Sequence, residues 1–414
     1  MNPTLFSDLA EVEGLAGSGQ SRKILFVSHS CLSYGAERSL EALVIALDSS
    51  SMFQPTVLLP CKNGYLYKTL TDQGIPVIVY PYFDWISSKR KYVFGIAGFL
   101  VNYLGARLLA NKLKCDGFEL VYSNSLATQF GTLLAMKLNR PHIWHIREFI
   151  CEDLDKKFAP GIRYVKEIVE KSTAHIIYNS KAVSNKFSKL FSGVDSSVIY
   201  NGFSFGDYES FTDRYAKRVG NKSDIGLVIV GNVRYEKGQH YVIRCVHELR
   251  NRGLKVFLKI VGKGKSEYIG KLKKECGTLG VSEYVEFVGG VDNPLKYFEE
   301  AAVSIVASSN EAFGRVVVES CSVGCPVVVS DSGGLMEIIR HGETGLVFES
   351  GNVAQMANCV EQLINDRSAY NKISLNSAEE VREKFNLSEY EKGISFVIED
   401  VLRRFVSTDM VGCC

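Results

Sequence analysis

From Arg22 onward, short apolar runs rich in valine and isoleucine alternate with longer segments whose apolar residues recur at helical spacing. Runs at 24–27, 57–59, 77–79, 120–122, 143–144, 176–178 and 198–200 carry the mark of βαβ units and a parallel sheet. Between the first two runs, Leu40, Leu43, Val44 and Leu47 share one helical face, so this crossover buries a stripe against the sheet. After Asn201-Gly202 the rhythm lapses through a polar and aromatic stretch, 203–224, which reads as an interdomain linker. It restarts with runs at 227–230, 256–261, 285–288, 303–307, 327–329 and 346–348.

The pattern predicts an α/β protein of two Rossmann-like doubly wound domains, residues 21–205 and 206–385, facing each other across a cleft. A mobile leader at 1–20 precedes them and a C-terminal helix at 386–414 follows. The charged faces of segment 379–405 select neither domain, which leaves a crossing back to the first one open. Facing doubly wound domains present the carboxyl ends of their strands to a shared crevice, where ligands of open α/β sheets bind. Asn201-Gly202 is the predicted hinge for closure around such a ligand.

Composition adds limits. At 414 residues and 46% hydrophobic content the chain is too long for one core. A net charge of +2, from 48 basic and 46 acidic residues, argues against a nucleic-acid partner and for a small molecule. Eleven cysteines without a C-x-x-C pair read as reduced thiols of a cytoplasmic protein, and the terminal Cys413-Cys414 carries no weight. Residues 1–20 lack the basic start and apolar run of a signal peptide. The apolar stretch 92–110 is interrupted by Asn102, Arg107 and three glycines, so it is a poor membrane span. It follows Lys89-Arg90-Lys91 and lies near Tyr82, Phe83 and Trp85, so segment 82–107 suits peripheral contact with a membrane surface; a buried helix is the alternative.

Four segments can carry chemistry. After the first strand, Gly35 opens a helix whose outward N–H groups and dipole favour a phosphate, or it is a plain strand-to-helix turn. After the first strand of the second domain, Arg234 and Lys237 stand beside another helix start, where two cations can neutralise a diphosphate; solvated surface charge is the other reading. The segment from Ser308 to Glu319 places Glu311 just before a glycine turn at Gly314 and Glu319 about one and a half helical turns inside, so both can face one ligand. Glu319 can accept the two hydroxyls of a ribose, although sequence leaves open a hydrolase acid/base pair of Glu311 and Glu319. In Ile143-Trp144-His145-Ile146-Arg147-Glu148, His145 sits at a strand end where it can orient or deprotonate an acceptor hydroxyl, or serve structure alone. The D-x-D string Asp153-Leu154-Asp155 lies in a charged, helical context and reads as a solvated face, so no metal site is expected.

Taken in order, Tyr34-Gly35-Ala36-Glu37, Trp144-His145-Ile146-Arg147-Glu148, Val198-Ile199-Tyr200-Asn201-Gly202, Glu236-Lys237-Gly238-Gln239, Glu311 through Glu319, and Gly333-Gly334 through Gly342-Glu343-Thr344-Gly345 resemble glycosyltransferase family 4, of the two-domain GT-B fold, over about 23–348. The resemblance implies a UDP- or GDP-sugar donor, no metal or other cofactor, and retained anomeric configuration, with the departing phosphate activating the acceptor. Lys237 would bind the diphosphate, Glu311 the hexose hydroxyls, Phe313 and Gly314 the sugar and phosphate through their backbone, and Glu319 the ribose. Gly35 would approach the diphosphate from the other domain, and His145 would stand by the reacting hydroxyl. The family commonly has arginine where this chain has Asn232, and Arg234, two residues on, is the candidate to supply that charge. The implied activity is transfer of a hexose-type sugar to a hydroxyl of a glycan or lipid-linked acceptor, in polysaccharide, lipopolysaccharide or other glycoconjugate biosynthesis, at the cytoplasmic side of a membrane. A catalytically idle nucleotide-sugar scaffold is the alternative.

Overall fold

The computed structural model of the chain describes residues 21–87, 92–150, 157–206, 214–220 and 224–411. The leader, the Lys89-Arg90-Lys91 run, the D-x-D string and Cys413-Cys414 lie outside the described residues.

Each apolar run falls on a strand, although the run at 198–200 meets its strand only at Val198. The first domain holds β1 (Arg22–Val27), β2 (Phe53–Leu59), β3 (Val77–Val79), β4 (Ile86–Ser87), β5 (Leu120–Ser123), β6 (His142–Ile146), β7 (Lys157–Phe158), β8 (His175–Tyr178) and β9 (Ser196–Val198). Seven of these form a sheet in the order β3-β2-β1-β5-β6-β8-β9, parallel throughout, while β4 and β7 pair as an antiparallel ribbon. The second domain holds β10 (Ile225–Val230), β11 (Val256–Val261), β12 (Val285–Gly289), β13 (Val303–Val306), β14 (Val327–Ser330) and β15 (Leu346–Phe348), in the parallel order β12-β11-β10-β13-β14-β15. Strand order reverses between β1 and β5 and between β10 and β13, and in such sheets the crevice opens at these switch points.

Helix α1 (Gly35–Ser49) buries Leu40, Leu43, Val44 and Leu47 at 0% exposure, as its spacing predicts. Helix α2 (Tyr65–Asp72) joins it on that face of the sheet; α3 (Tyr92–Leu113) and α4 (Phe130–Leu138) cover the other. The C-terminal helix, Leu387–Val411, lays Tyr390, Ile394, Val397, Ile398 and Leu402 against the α1 side of the first sheet. The predicted helix over 379–405 is therefore two helices, Arg367–Lys384 on the second domain and Leu387–Val411 on the first. The break falls where the chain recrosses: Phe203 pairs with Asn386, and its N–H donates to Phe385 O at 2.9 Å. Gly202 has no room for a side chain there, because a Cβ would stand 2.5 Å from that of Tyr390. The predicted linker is also anchored: Arg218, buried on helix Arg214–Arg218, donates to Val323 O at 2.9 Å.

Two expectations need correction. Tyr82 and Trp85 are core residues, not membrane-facing aromatics; Trp85 is 0% exposed and its Nε1 donates to Leu126 O at 2.6 Å. What faces solvent is one side of α3, with Leu100, Leu104 and Leu108 at 59%, 62% and 60% exposure, and no described helix is long and apolar enough to cross a membrane. Nor are all the cysteines free thiols, since Cys31 and Cys61 are joined. They come from the loops after β1 and β2, and parallel pairing of those strands, invisible in residue spacing, brings them together.

Candidate active site

The crevice is lined from both domains. One cavity in it is walled by Gly35, Arg147 and Asn201 on one side and Asn232, Lys237, Glu311 and Gly314 on the other. A second cavity shares Gly35, Gly231, Asn232 and Arg315 with it and extends to Glu319. Two helix N-termini border this space: neither α1 nor helix Arg315–Ser322 has a side-chain cap on its first turn, and both starts line the cavity. Uncapped N–H groups with their helix dipoles form an anion site.

The second-domain wall is built by tight turns. Gly238 (φ 72°) ends the turn Tyr235–Lys237, and any Cβ on it would collide with Ala307 O. This close approach, with Ser309 N–H donating to Glu236 O at 2.9 Å, sets Lys237 over the loop after β13. Its Nζ stands 2.6 Å from Glu311 Oε2, which also accepts from Ser308 Oγ at 3.0 Å. Gly314 (φ 105°) then turns the chain into the next helix, where Glu319 lies one turn beyond Arg315, 3.4 Å from its guanidinium. Phe313 is 2% exposed and packs against Phe203 and Phe385. Gly35, Lys237, Glu311, Phe313, Gly314 and Glu319 thus meet around connected cavities.

Two expected residues do not join them. Arg234 is exposed and lines neither cavity, because the strand-to-turn path directs Asn232 inward and carries Arg234 out to solvent. His145 is buried within β6, with Nδ1 2.5 Å from the Tyr122 hydroxyl and its ring 6.4 Å from that of Tyr390. Side chains alternate across a strand, so Trp144 and Ile146 face one core and His145 the other, below the strand end. Burial first, and Arg147 second, lower its pKa well below the ordinary value, leaving a neutral ring walled off from the cavity. The residue that reaches the cavity from this segment is Arg147, just past the strand end. It is held by Asn124 Oδ1 at 2.8 Å, by Asn201 Oδ1, and by the Tyr390 hydroxyl at 2.6 Å. Arg315, the residue after Gly314, is another cation that sequence reading passed over. The position after a strand end and the first position of a helix were the signals available for them.

The buried histidines make a pH prediction. Burial lowers His142 to about 3 and His175 to about 4, and depresses His145 as well. The unfolded chain takes up protons at these sites below about pH 6.5 while the folded one does not, so stability falls as pH drops from there toward about 4. His142 and His175 are each expected to cost roughly 1.4 kcal/mol per pH unit within that window. Urea midpoints at pH 7.5 and 5.5 check it, and equal midpoints would contradict it.

The architecture is the two-domain GT-B fold. Crystal structures of Anabaena HepE, one with UDP and glucose and one with UDP-glucose, superpose with TM-scores of 0.76 and 0.75 at 22% and 23% identity, over 92% and 91% of this chain and 100% and 99% of theirs. Residues 212–380 match the family model of glycosyl transferases group 1. An uncharacterized glycosyltransferase of Methanocaldococcus jannaschii is 27% identical over 66% of this chain and 73% of its own length. The capsular polysaccharide biosynthesis glycosyltransferase CapM of Staphylococcus aureus is 25% identical over 62% and 70%. Together the family match and the relatives support a GT-B glycosyltransferase, with relatives in polysaccharide and lipopolysaccharide biosynthesis.

Proposed function

We propose that this chain is a metal-independent, retaining glycosyltransferase of family 4 that moves a hexose-type sugar from a UDP- or GDP-sugar to a hydroxyl of a glycan or lipid-linked acceptor. The observation that carries this reading is the Lys237–Glu311 pair, set 2.6 Å apart beside an uncapped helix N-terminus and opposite Gly35 of the other domain. A cation and free N–H groups suit the diphosphate, the Glu311 carboxylate suits sugar hydroxyls, and Glu319 suits the ribose. The UDP and UDP-glucose bound to HepE support a nucleotide-sugar donor.

In the reaction the bond between the sugar C1 and the β-phosphate oxygen breaks, with its electron pair staying on the phosphate. The acceptor oxygen bonds to C1 on the same face and its proton passes to the departing phosphate. The protein supplies charge and position, not a nucleophile. The acceptor is read as lying at the cytoplasmic face of a membrane, where the exposed leucines of α3, interspersed with Arg107, would rest on anionic lipid.

The test is transfer from UDP- and GDP-hexoses, with EDTA present, to glycan and lipid-linked acceptors carried in anionic vesicles, followed by NMR of the product. A product keeping the donor's anomeric configuration, and sedimentation of the protein with the vesicles, are expected. An inverted product would overturn the retaining assignment, and nucleotide binding without transfer would favour the idle scaffold.

A further inference from the structure

Asn232 gives the cleft a neutral amide where the family resemblance sets a guanidinium, and Arg234 lies outside. The geometry points to Arg315, faced by Arg38 and Arg147 of the first domain, as the set of cations that holds the donor diphosphate in this chain. The inference rests on the nucleotide-sugar reading above and assigns the subsite within it.

Arg315 is placed for this by three contacts. Its side chain, 18% exposed, leaves the first turn of the second-domain helix and crosses the cleft, so that Nη1 donates to Ser39 Oγ of α1 at 2.7 Å. The guanidinium lies 4.3 Å from the centre of the Phe203 ring, which fixes its plane. A Cβ on Gly35 would stand 3.2 Å from Arg315 Cδ, so the glycine opening α1 leaves room for this side chain beside an uncapped helix start. Arg315 lines both cavities, between Lys237 and Glu319, where a diphosphate joins sugar to nucleoside.

The two partner arginines approach from the opposite wall. Arg38 donates to Asp292 O at 2.8 Å, while its Nε is buried without a hydrogen-bond partner. Among the described residues, Arg147 donates to the neutral oxygens of Asn124, Asn201 and Tyr390. Glu319 stands 3.4 Å from Arg315, and Glu41, on α1, is a second, partly buried carboxylate whose charge interacts with Arg38 and Arg315. Burial lowers the pKa of Arg315, Glu319 raises it, and Arg38 and Arg147 lower it further, so the three guanidiniums act on one another across the cleft. Like charges gathered in a desolvated cleft cost stability until an anion joins them, and a guanidinium fork matches two phosphate oxygens at once. When the sugar leaves, the charge gained by the β-phosphate falls among these groups. Because Arg315 belongs to one domain and Arg38 and Arg147 to the other, the diphosphate also ties the domains together.

The experiment is calorimetric titration of the full chain in EDTA with uridine, UMP and UDP, and with the guanosine series in parallel, for the wild type, Arg315→Gln, Arg315→Lys and Arg38→Gln. The wild type is expected to bind the diphosphate of one base well above its monophosphate. Arg315→Gln should weaken diphosphate binding about 10–100-fold while changing the monophosphate about 2-fold or less; Arg315→Lys should recover part of the loss, and Arg38→Gln should show a smaller loss of the same kind. A diphosphate-to-monophosphate ratio unchanged in Arg315→Gln overturns the inference with the nucleotide reading intact, as does an equal loss for mono- and diphosphate, which marks a structural role. If Arg315→Gln does not fold, Arg38→Gln and Arg315→Lys decide by the same ratio. No binding of any nucleotide by the folded wild type removes the nucleotide reading itself, and this inference with it.

Discussion

Lys237→Ala is expected to lower kcat by about 10²–10³-fold, the cost of removing one charge aimed at a developing oxyanion. The ammonium is held by its 2.6 Å contact with Glu311, a carboxylate whose side chain is 15% exposed, and by a turn that Gly238 alone can close. Loss of the cation leaves the leaving phosphate less neutralised and Glu311 without that partner, so the sugar is also held less well. Lys237→Arg is not expected to restore activity, because a planar fork cannot occupy the position of a compact ammonium packed on one carboxylate oxygen. Steady-state kinetics with circular dichroism check this: a folded variant with kcat within a few-fold of wild type would remove Lys237 from the chemistry.

Glu319→Ala is expected to weaken nucleotide affinity by about 10²-fold, since each hydrogen bond to a charged group contributes roughly 1.5–3 kcal/mol. The carboxylate, with its side chain 13% exposed, lines the second cavity, which Lys237 does not reach. The discriminating ligand is a nucleotide lacking both ribose hydroxyls. Wild-type protein should bind it more weakly than the parent nucleotide, and the variant should bind the two alike. Continued preference for the ribose in Glu319→Ala would place the nucleoside elsewhere.

The sheets were legible because buried parallel strands of valine and isoleucine leave an unmistakable rhythm, and the placement of Lys237, Glu311, Gly314 and Glu319 followed from strand-turn-helix punctuation. What escaped reading depended on a single position along a strand or on contacts between distant segments. His145 and Arg147 are two residues apart and lie on the same segment, yet only the residue past the end of β6 clears the sheet. Arg234 and Arg315 are equally charged on paper; the first leaves a turn toward solvent, while the second starts a helix at the domain boundary. Tyr82 and Trp85 look like surface aromatics in sequence because the partners that bury them, among them Leu126 and Trp144, lie about 40 or more residues away. The helix break at Phe385 and Asn386 is set by pairing with Phe203, which no local propensity records.

Thermal unfolding in EDTA with UDP, GDP, ADP and their common sugar conjugates, with Glu319→Ala as control, tests the proposal that this cleft is a donor site working without a metal. A ligand that binds only the folded chain raises its stability with concentration. Stabilisation by UDP or GDP and its sugars, lost in Glu319→Ala, is expected. No stabilisation by any of them at millimolar concentration, or stabilisation that appears only when a divalent cation replaces EDTA, would contradict it.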